Sequence, residues 1–156
     1  MSADWGETAL AWVSLAKQRH ALGDPNPTNG LVPGAIDWPD RLTAYQRANF
    51  LKTLAIGLDD MDDRDRATDV FKWARNEARK AVQPMPDGTF GDRIETLANL
   101  WYSMQIRGYD ALAAETATEV AALLRAAPPE RRTRFFWPLT VEDFRAGPPG
   151  VSRIPE

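Results

Sequence analysis

The chain has 156 residues, 44% hydrophobic and 26% charged, with a formal net charge of −3, one histidine and no cysteine. That length fits one domain that buries its core without a metal or disulfide staple, and the composition is that of a water-soluble globular protein. The missing cysteine excludes disulfides, thiolate nucleophiles, iron–sulfur clusters and cysteine-rich zinc sites, and the lone His20 leaves little for serine–histidine catalysis or a multi-histidine metal site.

The first residues, Met-Ser-Ala-Asp-Trp-Gly-Glu, hold neither a basic stretch nor an apolar one, so they do not read as a secretory signal. No apolar run is long enough to span a bilayer, and a cytoplasmic location is expected. Apolar spacing predicts a first helix from about Glu7 to Leu22, ended by Gly23. Trp5, Ala9, Trp12, Val13, Ala16 and His20 share its apolar face, which makes His20 an expected core residue. Residues 23–39 contain four prolines and three glycines and are expected to form a loop wrapping across the bundle. Trp38 in that loop is a candidate partner contact.

A second helix is predicted from Asp40 to Leu58, with Ala44, Phe50, Leu51, Leu54 and Leu58 inward and Gly57 or the following aspartates as its stop. Arg47 falls inside this apolar stripe, where it either snorkels or pairs with an acid. The third predicted helix, Asp62 to Val82, buries Ala67, Val70, Phe71, Ala74, Ala78, Ala81 and Val82, and the small residues among them imply close approach of a neighbour. A fourth helix, about Asp92 to Arg107, carries the strongest apolar stripe: Ile94, Leu97, Leu100, Trp101 and Met104. The fifth, Tyr109 to Ala127, turns Leu112, Ala113, Thr116, Val120, Leu123, Leu124 and Ala127 inward and follows after a short link at Gly108, and the pair reads as a central antiparallel hairpin. The expected fold is a single all-α bundle over residues 1–146. A C-terminal aromatic segment closes one end, and residues 147–156 form an extended tail.

Charge is unevenly spread. Residues 64–82 hold six cations and three anions, and residues 121–156 hold six and four, so two positive segments sit in an acidic remainder. On the third helix Lys72, Arg75, Asn76 and Arg79 recur at i, i+3, i+4 and i+7 and project from one face. Trp73 flanks them. Arg131, Arg132 and Arg134 form a second cluster, followed by Phe135, Phe136 and Trp137. Cations beside aromatics suit a single-stranded nucleic acid, with phosphate neutralisation and base stacking supplied by adjacent residues. A solvated charged face and an aromatic docking segment are the alternative account of the same residues.

Asp59-Asp60-Met61-Asp62-Asp63 resembles the aspartate-rich signature of all-helical isoprenoid synthases, in which carboxylates share Mg²⁺ ions that hold a diphosphate. Asp59, Asp60 and Asp63 would be the ligands. The competing reading is electrostatic, with acids offsetting the positive N-terminus of the third helix and pairing at i, i+4 as Asp60 with Arg64 and Asp62 with Arg66. No phosphate loop, CxxC, GxSxG or HExxH motif occurs.

In size, all-helical character and arginines set on helices, the chain resembles the small subunits of CRISPR effector complexes. That resemblance implies a non-enzymatic subunit that packs against protein partners or copies of itself. It further implies backbone contact with RNA or DNA, without sequence readout, through Lys72, Arg75 and Arg79, and with no cofactor. A phage or plasmid interaction protein, such as an inhibitor of a defence system, is the first alternative, and a magnesium-dependent enzyme acting on a diphosphate is the second.

Overall fold

The computed structural model describes residues 5–27, 42–81 and 93–126. Of these, 82% are helical and none lies in a strand, so the fold is all-α. The described helices are α1 (Trp5–Ala21), α2 (Ala44–Asp60), α3 (Arg64–Ala78), α4 (Arg93–Ile106) and α5 (Asp110–Ala126). The chain divides into two compact units, Met1–Ala81 with α1 to α3 and Val82–Glu156 with α4 and α5. No helix among the described residues is long and apolar enough to cross a membrane.

Three of the helices end in the same way, and the hydrogen bonds define where. In α1 the Gly23 N–H donates to His20 O and the Asp24 N–H to Arg19 O; in α4 the Gly108 N–H donates to Gln105 O and the Tyr109 N–H to Met104 O. These pairs are the Schellman pattern, which needs a left-handed residue just past the helix, and Gly23 and Gly108 supply it at φ +84° and +81°. At the end of α2 the same two bonds run from Asp62 to Asp59 O and from Asp63 to Leu58 O. There the left-handed position falls to Asp62, at φ +61°. Asp62 therefore belongs to the turn, and α3 begins two residues later than its acidic run suggests.

The start of α2 is set by a capping box, in which Thr43 Oγ1 accepts from the Gln46 N–H at 3.1 Å and Gln46 Oε1 accepts from the Thr43 N–H at 2.9 Å. Two otherwise orphaned donors are satisfied this way, which places the first helical residue at Ala44. Leu42 and Thr43 are therefore outside the helix, where the composition of residues 40–58 had suggested one continuous stretch.

In the first unit α2 and α3 run antiparallel. Phe50, Leu51, Leu54 and Leu58 of α2 and Ala67, Phe71, Ala74 and Ala78 of α3 are all fully or almost fully buried, as their helical spacing predicts, whereas Ala44, expected among them, is half-buried at the first position of α2. Alanines on α3 leave room for the larger side chains of α2. Helix α1 packs on α2 through Ala9, Val13 and Ala16, with Trp12 set edge-on to Phe50 at a centroid distance of 5.6 Å.

Of the two stops expected for α2, the aspartates are the one observed, since the helix continues past Gly57 through Asp60. At Gly57 a Cβ would lie 2.6 Å from Val13 Cγ1 and closer still to Cγ2, so its missing side chain lets α1 approach. His20 departs from expectation, because it is exposed. Val13 meets Gly57 and Lys17 meets Asp60, so the two helices advance in the same sense and α2 ends level with Lys17. His20 lies almost a full turn beyond that point, with no α2 residue left to cover it.

In the second unit Ile94, Leu97, Leu100, Trp101 and Met104 of α4 and Leu112, Ala113, Thr116 and Val120 of α5 are buried, in agreement with the predicted stripes. The Thr116 hydroxyl donates to Leu112 O at 2.8 Å, which satisfies the one polar group this stripe of α5 buries.

Candidate nucleic-acid interface

The cation row lies on the C-terminal half of α3. Lys72, Asn76 and Arg79 are exposed and Arg75 is half-buried, so the predicted stripe does occupy the outward side of the helix. Arg79 is one residue past the last helical position, yet its backbone keeps right-handed helical angles, φ −63° and ψ −21°, and the spiral register carries through to it. Its guanidinium Nη1 donates to Asn76 Oδ1 at 3.1 Å. Trp73 is half-buried on the flank of the row.

What gives this half-helix its sign is the placement of one acid. Between Val70 and Ala81 the only carboxylate is Glu77, and it points inward, 5% exposed. Arg47 Nε of α2 donates to Glu77 Oε2 at 2.8 Å, and Lys80 Nζ donates to Oε1 at 3.0 Å. Arg47 also donates to Leu42 O at 2.6 Å, which ties the entrance of α2 to the end of α3. Burial alone would raise the Glu77 carboxyl, but the hydrogen bonds from Arg47 and Lys80 outweigh it and hold the group below its ordinary value. Arg47 is thus the partner of an acid, one of the two roles its position in an apolar stripe allowed. Glu77 carries no signal by itself. The readable sign is the pair, one charged residue of each sign inside the apolar stripes of two successive helices.

The N-terminal half of α3 is electrically different. Asp65 and Asp69 are exposed beside Arg64 and Arg66. The aspartate run before it is distributed among separate partners: Asp59 with Arg64 at 3.1 Å, Asp60 with Lys17 of α1 at 3.0 Å, and Asp63 with Arg66 at 3.6 Å. Asp62, left-handed at φ +61°, stands outside the α3 spiral, and Arg66 reaches Asp63 beside it. Asp63 is the N-cap of α3, accepting from the Arg66 N–H. Among the described residues no group of three or more histidine, aspartate or glutamate side chains has the arrangement to hold a metal ion. Asp63 caps α3, while Asp59 and Asp60 are the last two residues of α2 and reach Arg64 and Lys17 from there, so only Asp63 stands at the positive end of α3.

The remaining candidates, Arg131, Arg132, Arg134 and Trp38, together with most of the loop at 23–39, lie outside the described residues. Only the α3 group is brought together on a described surface. Against known protein families, characterised proteins and solved structures, the chain shows no significant match.

Proposed function

We propose that this protein is a non-enzymatic helical interaction subunit whose α3 lays Lys72, Arg75, Asn76 and Arg79 along the phosphate backbone of a single-stranded nucleic acid. The observation that carries this reading is the inward turn of Glu77. With that carboxylate committed to Arg47 and Lys80, the outward surface from Lys72 to Arg79 bears only cations and an amide. Contacts from such a row to phosphate position a strand and carry no base readout, so the proposed binding is independent of sequence. A chain of this size and helical make-up, with such a face, is the kind of component that CRISPR effector complexes use as their small subunit. The net charge of −3 opposes a general attraction to nucleic acid, so contact through local groups of cations is expected to be sensitive to salt.

The test is fluorescence anisotropy with labelled single-stranded RNA and DNA across a salt series. Each phosphate contact contributes roughly 0.7 to the slope of log affinity against log salt for a single strand. Lys72→Glu with Arg79→Glu is expected to flatten that slope by about 1.4 or more and to weaken binding at least tenfold. Binding that is equal in wild type and double variant, or absent in both, would sink the proposal.

A further inference from the structure

One carboxylate is shared by two cations at the end of α3 remote from its aspartates. Glu77 Oε2 accepts from Arg47 Nε at 2.8 Å and Oε1 accepts from Lys80 Nζ at 3.0 Å. One negative charge against two positive leaves a positive charge in surplus, and the two cations stand differently towards water: the Arg47 side chain is 21% exposed and that of Lys80 61%. Arg47 is also fixed to Leu42 O at 2.6 Å, and its burial makes separation from Glu77 costly. Lys80 is an i, i+3 partner at the surface, where an ion pair is worth little and exchanges readily with another anion. The surplus charge therefore resides on Lys80.

The charge around it has the same sign. Residues 42–58 and 70–81, the part of the α2–α3 hairpin away from its turn, hold six cations and one acid, whereas residues 59–69 at the turn hold six aspartates and two arginines. Phosphate is repelled by the turn and drawn to the other end. Lys80 stands four residues beyond Asn76 and eight beyond Lys72, and its N–H donates to Glu77 O at 3.1 Å, so the chain stays coiled through it. It adds a cation at the end of the row, about 12 Å along the axis from Lys72. The C-terminal dipole of α3 supplies only about half a negative charge, less than any one of these cations carries.

We infer that Lys80 is a further phosphate ligand of this face, recruited when an incoming phosphate takes it from Glu77, which keeps Arg47. This rests on the nucleic-acid reading of α3 and adds to it both a contact and a built-in competitor. Glu77 holds affinity down, because each binding event has to exchange the Lys80 ion pair.

Anisotropy titrations of the full chain with a fluorescein-labelled oligouridylate across a salt series test this as a cycle. Lys80→Gln is expected to reduce the salt slope by about 0.7, the loss of one phosphate contact. Arg47→Met with Glu77→Leu removes one charge of each sign, so net charge is kept while Lys80 loses its competitor, and binding is expected to tighten about two- to fivefold. Adding Lys80→Gln to that pair should abolish the gain. Glu77→Gln, which keeps an oxygen for Arg47, takes the place of the apolar pair should helical circular dichroism show that the pair disturbs the hairpin. Binding that Lys72→Glu with Arg79→Glu destroys, but whose slope Lys80→Gln leaves unchanged, would overturn this inference and leave the reading of α3 standing. A gain in the charge-neutral pair that persists without Lys80 would overturn it as well, and a wild type that does not bind would overturn both.

Discussion

The hairpins α2–α3 and α4–α5 reverse the chain with the same pair of hydrogen bonds and a three-residue link, yet they are held by different chemistry. The α4–α5 hairpin turns on Gly108 and is packed by a large apolar stripe centred on the fully buried Trp101. Its counterpart turns on a left-handed aspartate, buries a glutamate, and joins its two helices by the Arg47 to Glu77 ion pair. A helix pair built from apolar residues can be neutral on its surface. One that routes its carboxylate into the core leaves a charged exterior, and the candidate interface lies on that second kind of hairpin.

Substitutions that strip each hairpin of its own device should separate the two. The largest effect is expected for Trp101→Ala in the apolar hairpin, about 3–5 kcal/mol of stability by urea unfolding, from lost burial and the cavity left behind. Glu77→Ala should cost about 2–4 kcal/mol, because it leaves the Arg47 guanidinium half-buried opposite no acid, whereas Arg47→Met combined with Glu77→Leu should recover most of that loss. If Glu77→Ala proves neutral, the polar clasp is ornamental and the two hairpins are alike.

The same clasp predicts a pH response. Glu77 has a folded-state pKa below its unfolded one, so its contribution is complete above the ordinary glutamate value and is lost as pH falls through the lowered value. Unfolding experiments at descending pH should show wild type losing stability on this limb more steeply than Glu77→Gln. Parallel curves would mean that the carboxylate is not held by Arg47 and Lys80 in solution.

Gly57→Ala should destabilise the first unit by about 1–2 kcal/mol, since overpacking against Val13 exceeds the gain in helix propensity. Adding Val13→Ala should make the alanine neutral or favourable. The smallest effects belong to the turns and should have opposite signs: Asp62→Gly stabilising by about 0.5–1 kcal/mol and Gly108→Ala destabilising by about 1 kcal/mol. Thermal midpoints of the two variants measured side by side would show whether both links share the left-handed conformation.

Helix existence and the inward faces were written locally, because periodic apolar residues specify both without reference to a neighbour. The described residues of the α3 and α4 stripes are buried where spacing predicts, and so are those of the α5 stripe, apart from a half-buried Leu123. Lys72, Asn76 and Arg79 project outward for the same reason. The positions that read wrongly all depend on a second element. His20 looks buried until α2 is seen to end level with Lys17. Asp62 looks helical until the α2 carbonyls claim its N–H and that of Asp63. Sequence by itself determined an all-α protein, its inward faces and the row of cations. Tertiary structure decided which acid Arg47 would meet, because an ion pair across 30 residues of chain is set by how two helices pack.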